Sequence, residues 1–130
     1  MESDIRFFTA QDIVDINKTQ IREFGGFFGI RDNRLLDSAV ANCQATFGGE
    51  YMFCTVPDIA ACYAHGIIKN HPFVDGNKRT GMATALLFFV KNGYDHGLSN
   101  YDIWHIGVGL ATSEFSQEEV AKIFAAAAKK

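Results

Sequence analysis

Apolar side chains recur along the chain at the three- and four-residue spacing of amphipathic helices, and capping residues and glycine pairs separate the segments that carry them. Thr9 with Asp12 makes a capping box that opens a helix to about Glu23, with Ile13, Ile16 and Ile21 near one face. Gly25-Gly26 ends it, and Phe27-Phe28-Gly29 reads as a compact apolar turn. A second helix is predicted from about Asn33 to Thr46, turning Leu35, Leu36, Ala39, Val40 and Cys43 inward, before Gly48-Gly49 breaks the chain again. The aromatic and β-branched residues from Glu50 to Val56 suit a short extended flap.

Thr55-x-x-Asp58, with Pro57 in the first turn, starts a third helix carrying Ile59, Cys62, Tyr63 and Gly66-Ile67-Ile68. It ends near Asn70, because Pro72 disfavours helical backbone at His71. A fourth helix from about Asn77 to Asn92 is apolar nearly all round between Met82 and Val90, which predicts the central buried helix. Ser99-x-x-Asp102 and Ser116-x-x-Glu119 cap a fifth and a sixth helix, the last reaching the Ala125–Ala128 tail. With no repeat and no series of alternating strands, the expected fold class is all-α: a compact single-domain bundle of about six helices, residues 1–130, with a possible short flap.

Composition adds little chemistry but excludes several classes. The 130 residues, 48% hydrophobic and 21% charged with twelve Phe, suffice for one core without disulfides or metal. A net charge of −3 disfavours a dedicated nucleic-acid binder, whose footprint is clustered Lys and Arg. Met1-Glu2-Ser3-Asp4 is acidic and polar where a signal peptide needs a positive start, and the apolar stretch from Met82 to Val90 is far short of the ~20 residues of a membrane span. Cys43, Cys54 and Cys62 cannot all pair and read as small buried hydrophobes of a reduced compartment. A cytoplasmic protein is expected.

One segment resists a purely structural account: His71-Pro72-Phe73-Val74-Asp75-Gly76-Asn77-Lys78-Arg79-Thr80-Gly81. Asp75-Gly76-Asn77 is turn chemistry, with Gly76 able to take a positive φ and Asn77 suited to an N-cap. Lys78 and Arg79 do not fit that turn. Two cations in a first helical turn oppose the helix dipole, each at a cost on the order of 0.3–1 kcal/mol. Backbone N–H groups at a glycine-containing helix start, joined by Lys and Arg, make a phosphate site. Asp75 supplies a hard carboxylate for Mg²⁺, and His71 can take a proton near neutral pH. The residues by themselves leave two readings open: a helix–helix turn, and a site that transfers part of a nucleotide to a hydroxyl.

His71-Pro72-Phe73-x-Asp75-Gly76-Asn77-x-Arg79 resembles the signature of the Fic/Doc proteins, and the chain length and run of helices are similar to its short Doc (death-on-curing) branch. The resemblance implies a helical bundle in which His71 activates a target hydroxyl and Asp75 binds Mg²⁺. It also implies that Gly76, Asn77, Lys78 and Arg79 form the nucleotide phosphate site and that Phe73 anchors the loop in the core. The AMP-transferring members place Gly after the Asn and a second Arg three residues beyond the first; here those positions are Lys78 and Met82. Both departures are similar to the Doc branch, which implies transfer of the γ-phosphate of ATP rather than AMP. They further imply a toxin acting on the translation factor EF-Tu, with AMP transfer the alternative. No inhibitory Ser/Thr-x-x-x-Glu-Gly/Asn segment is present: Thr19 to Glu23 and Thr46 to Glu50 are followed by Phe24 and Tyr51. Restraint by a separate antitoxin helix is therefore implied, with Phe27, Phe28 and Phe53 as candidate groove residues. A catalytically weak partner-binding module is the contrasting reading. Arg31, Asp32 and Arg34 read as a solvated helix start, and Gly107-x-Gly109 as an allowance for close helix packing.

Overall fold

The chain is described by a computed structural model covering residues 4–130; Met1 to Ser3, part of the acidic start, lie outside the described residues. Among the described residues six helices appear in order: α1 (Ala10–Phe24), α2 (Asn33–Asn42), α3 (Val56–Asn70), α4 (Asn77–Lys91), α5 (Asn100–Ala111) and α6 (Gln117–Ala127). A two-stranded hairpin, β1 (Thr46–Phe47) and β2 (Glu50–Tyr51), sits between α2 and α3. The helix starts follow the capping signals. Thr9, Ser99 and Ser116 close capping boxes with Asp12, Asp102 and Glu119, while the Thr55 side chain accepts from the Asp58 N–H. Each such cap is worth about 1 kcal/mol. Among the described residues no helix is long and apolar enough to cross a membrane.

Two expectations are corrected. The second helix stops at Asn42 instead of Thr46, and the flap lies at Thr46–Tyr51 rather than from Glu50 to Val56. The cause is Gly48-Gly49, which is a hairpin turn and not a helix stop. Both glycines are left-handed (φ 61° and 85°), as a tight turn requires, and Thr46 pairs with Tyr51 and Phe47 with Glu50. Cys54 roots the second strand, donating its thiol to the Tyr51 carbonyl at 3.2 Å, and is only half-buried; Cys43 and Cys62 are buried.

The central helix is α3, not α4. Ten residues of α3 are buried, from Val56 through Ile68, and α2, α4, α5 and α6 all pack on it. Small side chains make this possible: Gly66 lies against Ala39 of α2, and Gly81 of α4 against the Ala64 carbonyl and Ile68. Helix α4 carries more apolar surface than it buries, leaving Leu87 and Val90 exposed to solvent. Gly107 and Gly109 do permit close packing, against Met82 and the Phe115 ring respectively.

Aromatic side chains fill the space between α3, α4 and the segment before α1. Phe8, Tyr63 and Phe88 form a triangle with ring centroids 5.2–5.9 Å apart. The Tyr63 hydroxyl accepts from the Phe8 N–H at 2.9 Å, and burial pushes its pKa up, so it stays a neutral cross-link. Phe89 meets Phe124 edge-on at 5.4 Å and ties α4 to α6. These aromatic contacts fix the C-terminal half of α4 against α3 and α6, while Gly81 against Ala64 and Ile68 closes the other end of the pair, where the connecting chain carries His71 and Asp75.

A Cβ added at Gly81 would lie 2.7 Å from Ile68 Cγ1 and 3.1 Å from the Ala64 carbonyl oxygen. Gly81→Ala is therefore expected to lower stability by about 1–3 kcal/mol in a urea titration, although Ala gains up to ~1 kcal/mol in helix propensity. Leu87→Ala, on the exposed face, should change it by less than about 0.5 kcal/mol.

Candidate functional site

Helix α3 ends on His71 in the left-handed region (φ 50°, ψ 55°), a conformation that a non-glycine residue keeps only when its surroundings hold it. The connector between α1 and α2 does the holding. The N–H groups of Arg31 and Asp32 donate to the Pro72 carbonyl at 2.7 and 3.1 Å, and the Val74 N–H donates to the Gly29 carbonyl at 2.8 Å. Ile30 and Phe73 thereby form an antiparallel bridge. The Arg31 guanidinium adds bonds to the His71 carbonyl (2.6 Å) and the Asn70 carbonyl (2.9 Å). Phe73 is 1% exposed and plugs the loop into the core.

The turn that follows differs from its sequence reading at one residue. Gly76 (φ 74°) is the N-cap of α4, and Asn77, expected to cap, is the first helical residue. The Asn77 side chain turns inward instead. Its Oδ1 accepts from the Phe73 N–H at 3.1 Å and its Nδ2 donates to the Phe73 carbonyl at 3.0 Å, so one amide satisfies both backbone groups of a buried residue. Nδ2 also lies 3.4 Å from His71 Nδ1. With that side chain 7% exposed, what Asn77 offers an incoming anion is its backbone N–H at the helix start.

Asp75 is exposed, and both of its carboxylate oxygens face backbone donors: Gly76 N–H at 2.9 Å and Phe27 N–H at 3.3 Å. Gly26 beside it takes φ 116°, which L side chains rarely adopt, and a Cβ there would also sit 2.6 Å from Asp75 Oδ2. Arg79 Nη2 donates to the Gly25 carbonyl at 3.0 Å, and its guanidinium carbon lies 5.8 Å from the Phe24 ring centroid. Lys78 is exposed. His71, Asp75, Gly76, Asn77, Lys78 and Arg79 together line a pocket of about 310 Å³. The structure thus brings every sequence-predicted site residue to one cleft.

Two residues that hold this cleft are not marked as supports in the sequence: Asn17, and Arg31, which is expected in a solvated helix start and instead turns its guanidinium onto the end of α3. Asn17 is fully buried on α1, and its Nδ2 bridges the Asp75 carbonyl (3.0 Å) and Thr80 Oγ1 (2.9 Å), while its Oδ1 has no hydrogen-bond partner among the described residues. Its signal was available: Asn17 stands midway between Ile13 and Ile21 on the apolar face of α1, where a polar residue is out of place. Arg31 gave no such signal, because its partners are carbonyls 39 and 40 residues away in sequence. Arg34 is exposed on the first turn of α2.

The groove expectation also needs correction. Phe27 and Phe28 are exposed on the α1–α2 connector, but Phe53 lies in a separate cleft with Asp58, Gln117 and Lys122. An apolar groove of about 480 Å³ does exist between α1, α4 and α5, lined by Phe24, Met82, Leu86, Ile103 and Trp104, and it shares Lys78 and Arg79 with the smaller pocket.

A helical domain whose α3–α4 loop gathers a histidine, an aspartate and two cations around a helix start defines a class of proteins. Residues 7–89 match the sequence model of the Fic/DOC family, and the chain belongs to that family. It is similar to the Toxin Doc of Mycolicibacterium smegmatis, 46% identical over 70 residues, a match that spans about half of each chain (54%). It is also similar to the Protein kinase doc of Escherichia phage P1, 27% identical over 117 residues covering 90% of this chain and 91% of that one.

Removing the Asn77 amide leaves a buried N–H and carbonyl without partners. Asn77→Ala is expected to cost about 1–3 kcal/mol in a urea titration. A stability equal to wild type would mean that the Phe73 ring and the bridge to Ile30 hold the loop without the Asn77 amide.

Proposed function

We propose that this protein is a Doc-type toxin that transfers the γ-phosphate of ATP, with Mg²⁺, to a Ser or Thr hydroxyl of a target protein in the cytoplasm, the translation factor EF-Tu. The observation that carries the reading is the shared pocket of His71, Asp75 and the first turn of α4 with Lys78 and Arg79. Unpaired N–H groups at a helix start and two adjacent cations favour a phosphate chain. Met82, the position at which AMP-transferring members carry a second Arg, is 3% exposed and packs beside Gly107, so no second arginine fork reaches the phosphates. That departure supports γ-phosphate over AMP transfer. The names of the two relatives support the toxin and kinase parts of the reading.

The donor set fits a phosphate-borne Mg²⁺. No group of three or more His, Cys, Asp or Glu able to hold a metal occurs among the described residues, so a cation at Asp75 takes its other ligands from phosphate and water. One carboxylate with phosphate oxygens is a usual Mg²⁺ environment. When bound, Mg²⁺ neutralises charge on the phosphate oxygens. The first-turn N–H groups of α4, with Lys78 and Arg79, orient the phosphates. His71 accepts the proton of the target hydroxyl as its oxygen attacks the γ-phosphorus; the bond from that phosphorus to the bridging oxygen breaks, and ADP leaves. An antitoxin segment folded as an amphipathic helix fits the apolar groove between α1, α4 and α5, where its end would cover Lys78 and Arg79.

Purified protein, EF-Tu and ATP labelled at either the α- or the γ-phosphate test the reading. Label is expected on the target from the γ position alone, and His71→Ala should remove both the label and toxicity in cells. Label from the α position would convert the reading to AMP transfer. Toxicity undiminished in a folded His71→Ala variant would support the partner-binding module instead.

A further inference from the structure

We infer that Arg31 is a positioning residue for His71: its guanidinium aims the imidazole by fixing the backbone that carries it. The inference rests on the reading of His71 as the base. Arg31 lies outside the signature, on the α1–α2 connector, yet it holds three consecutive carbonyls, the last of α3 and the first two of the signature segment. Its side chain donates to Asn70 (2.9 Å) and His71 (2.6 Å), and its own N–H donates to Pro72 (2.7 Å).

The chemistry suits the place. The last carbonyls of a helix lack intrahelical donors and form the negative end of its dipole, where a cation is favoured. A planar guanidinium can satisfy two of them at once, and an ammonium cannot do so in the same geometry. From the other side, Asn70 Nδ2 donates to the Leu35 carbonyl at 3.1 Å, so the residue before His71 is gripped by both the connector and α2. The His71 ring itself is held loosely. Its contact with Asn77 Nδ2, at 3.4 Å, is long for a hydrogen bond. The ring's direction is therefore set by its backbone, and that backbone has the left-handed conformation, which needs outside support. Arg31 supplies that support with its side chain, while the backbone bond from its N–H to Pro72 is kept in Arg31→Ala and Arg31→Lys. Because Arg31 is exposed, truncating it opens no cavity.

The test uses the full chain with Arg31→Ala and Arg31→Lys, each first shown to be folded by a cooperative thermal melt. In γ-phosphate transfer, Arg31→Ala is expected to lower kcat roughly 10- to 100-fold, the scale of a misplaced catalytic group, with KM for ATP unchanged. Arg31→Lys should fall between the two, and free guanidinium ion should restore part of the activity of Arg31→Ala. The imidazole NMR signals report independently of activity. The His71 signal, assigned by its loss in His71→Ala, should move in Arg31→Ala, whereas those of His65, His96 and His105 should not. A wild-type kcat in Arg31→Ala, or a His71 signal that stays in place, overturns the inference. Full transfer activity in His71→Ala would overturn the proposed function instead, and the NMR result would still decide whether Arg31 holds the histidine.

Discussion

The pairing of Ile30 with Phe73 is the constraint on which the site depends. It joins two connectors that are otherwise free of regular structure, and it uses backbone groups alone, so it dictates position without dictating side-chain identity. Everything chemically interesting lies within a few residues of it: His71 two residues before Phe73, Asp75 two residues after, and the first turn of α4 beyond. A helical bundle has no sheet to act as a rigid platform for a loop. Here one short antiparallel bridge, reinforced by a buried phenylalanine and by the Asn77 amide, provides that rigidity locally.

The cations at the start of α4 illustrate a cost that the rest of the structure reduces without removing. Lys78 and Arg79 sit at the positive end of a helix dipole, which is unfavourable in isolation. Arg79 recovers part of that through the Gly25 carbonyl and the face of Phe24, and Asp75 lies across the same turn. Lys78 remains exposed. Local disagreement between side-chain charge and helix polarity, left standing in an otherwise well-capped fold, is the feature that the proposed polyphosphate ligand would resolve.

Most of the architecture was legible because the capping residues are explicit. Thr9, Thr55, Ser99 and Ser116 each start a helix where local chemistry says one should start. The misreadings have a common origin in tertiary context. Gly48-Gly49 ends a helix or turns a hairpin with equal ease, and only the pairing of Thr46 with Tyr51 decides. The apolar surface of α4 did not distinguish a central helix from one with Leu87 and Val90 in solvent, whereas the small residues of α3 that admit neighbours on several sides look unremarkable in sequence. The site was legible in its chemistry-bearing residues and illegible in its supports. Asp75 and His71 announce themselves by type and spacing; Asn17 is marked only by being polar on an apolar helix face, and Arg31 acts through backbone carbonyls, which every residue possesses and no sequence pattern marks.

The glycine pair after α1 has a consequence for how tightly a ligand can be held. Its neighbourhood presents Asp75 with the Phe27 N–H and Arg79 with the Gly25 carbonyl, a donor for the carboxylate and an acceptor for the guanidinium. These are placeholders with the polarity of the ligands each side chain would meet. Under the proposed function, a cation at Asp75 or a phosphate at Arg79 would exchange one satisfied contact for another and gain only the difference. In that reading the cleft favours the single ligand that makes both exchanges at once over one that makes either alone.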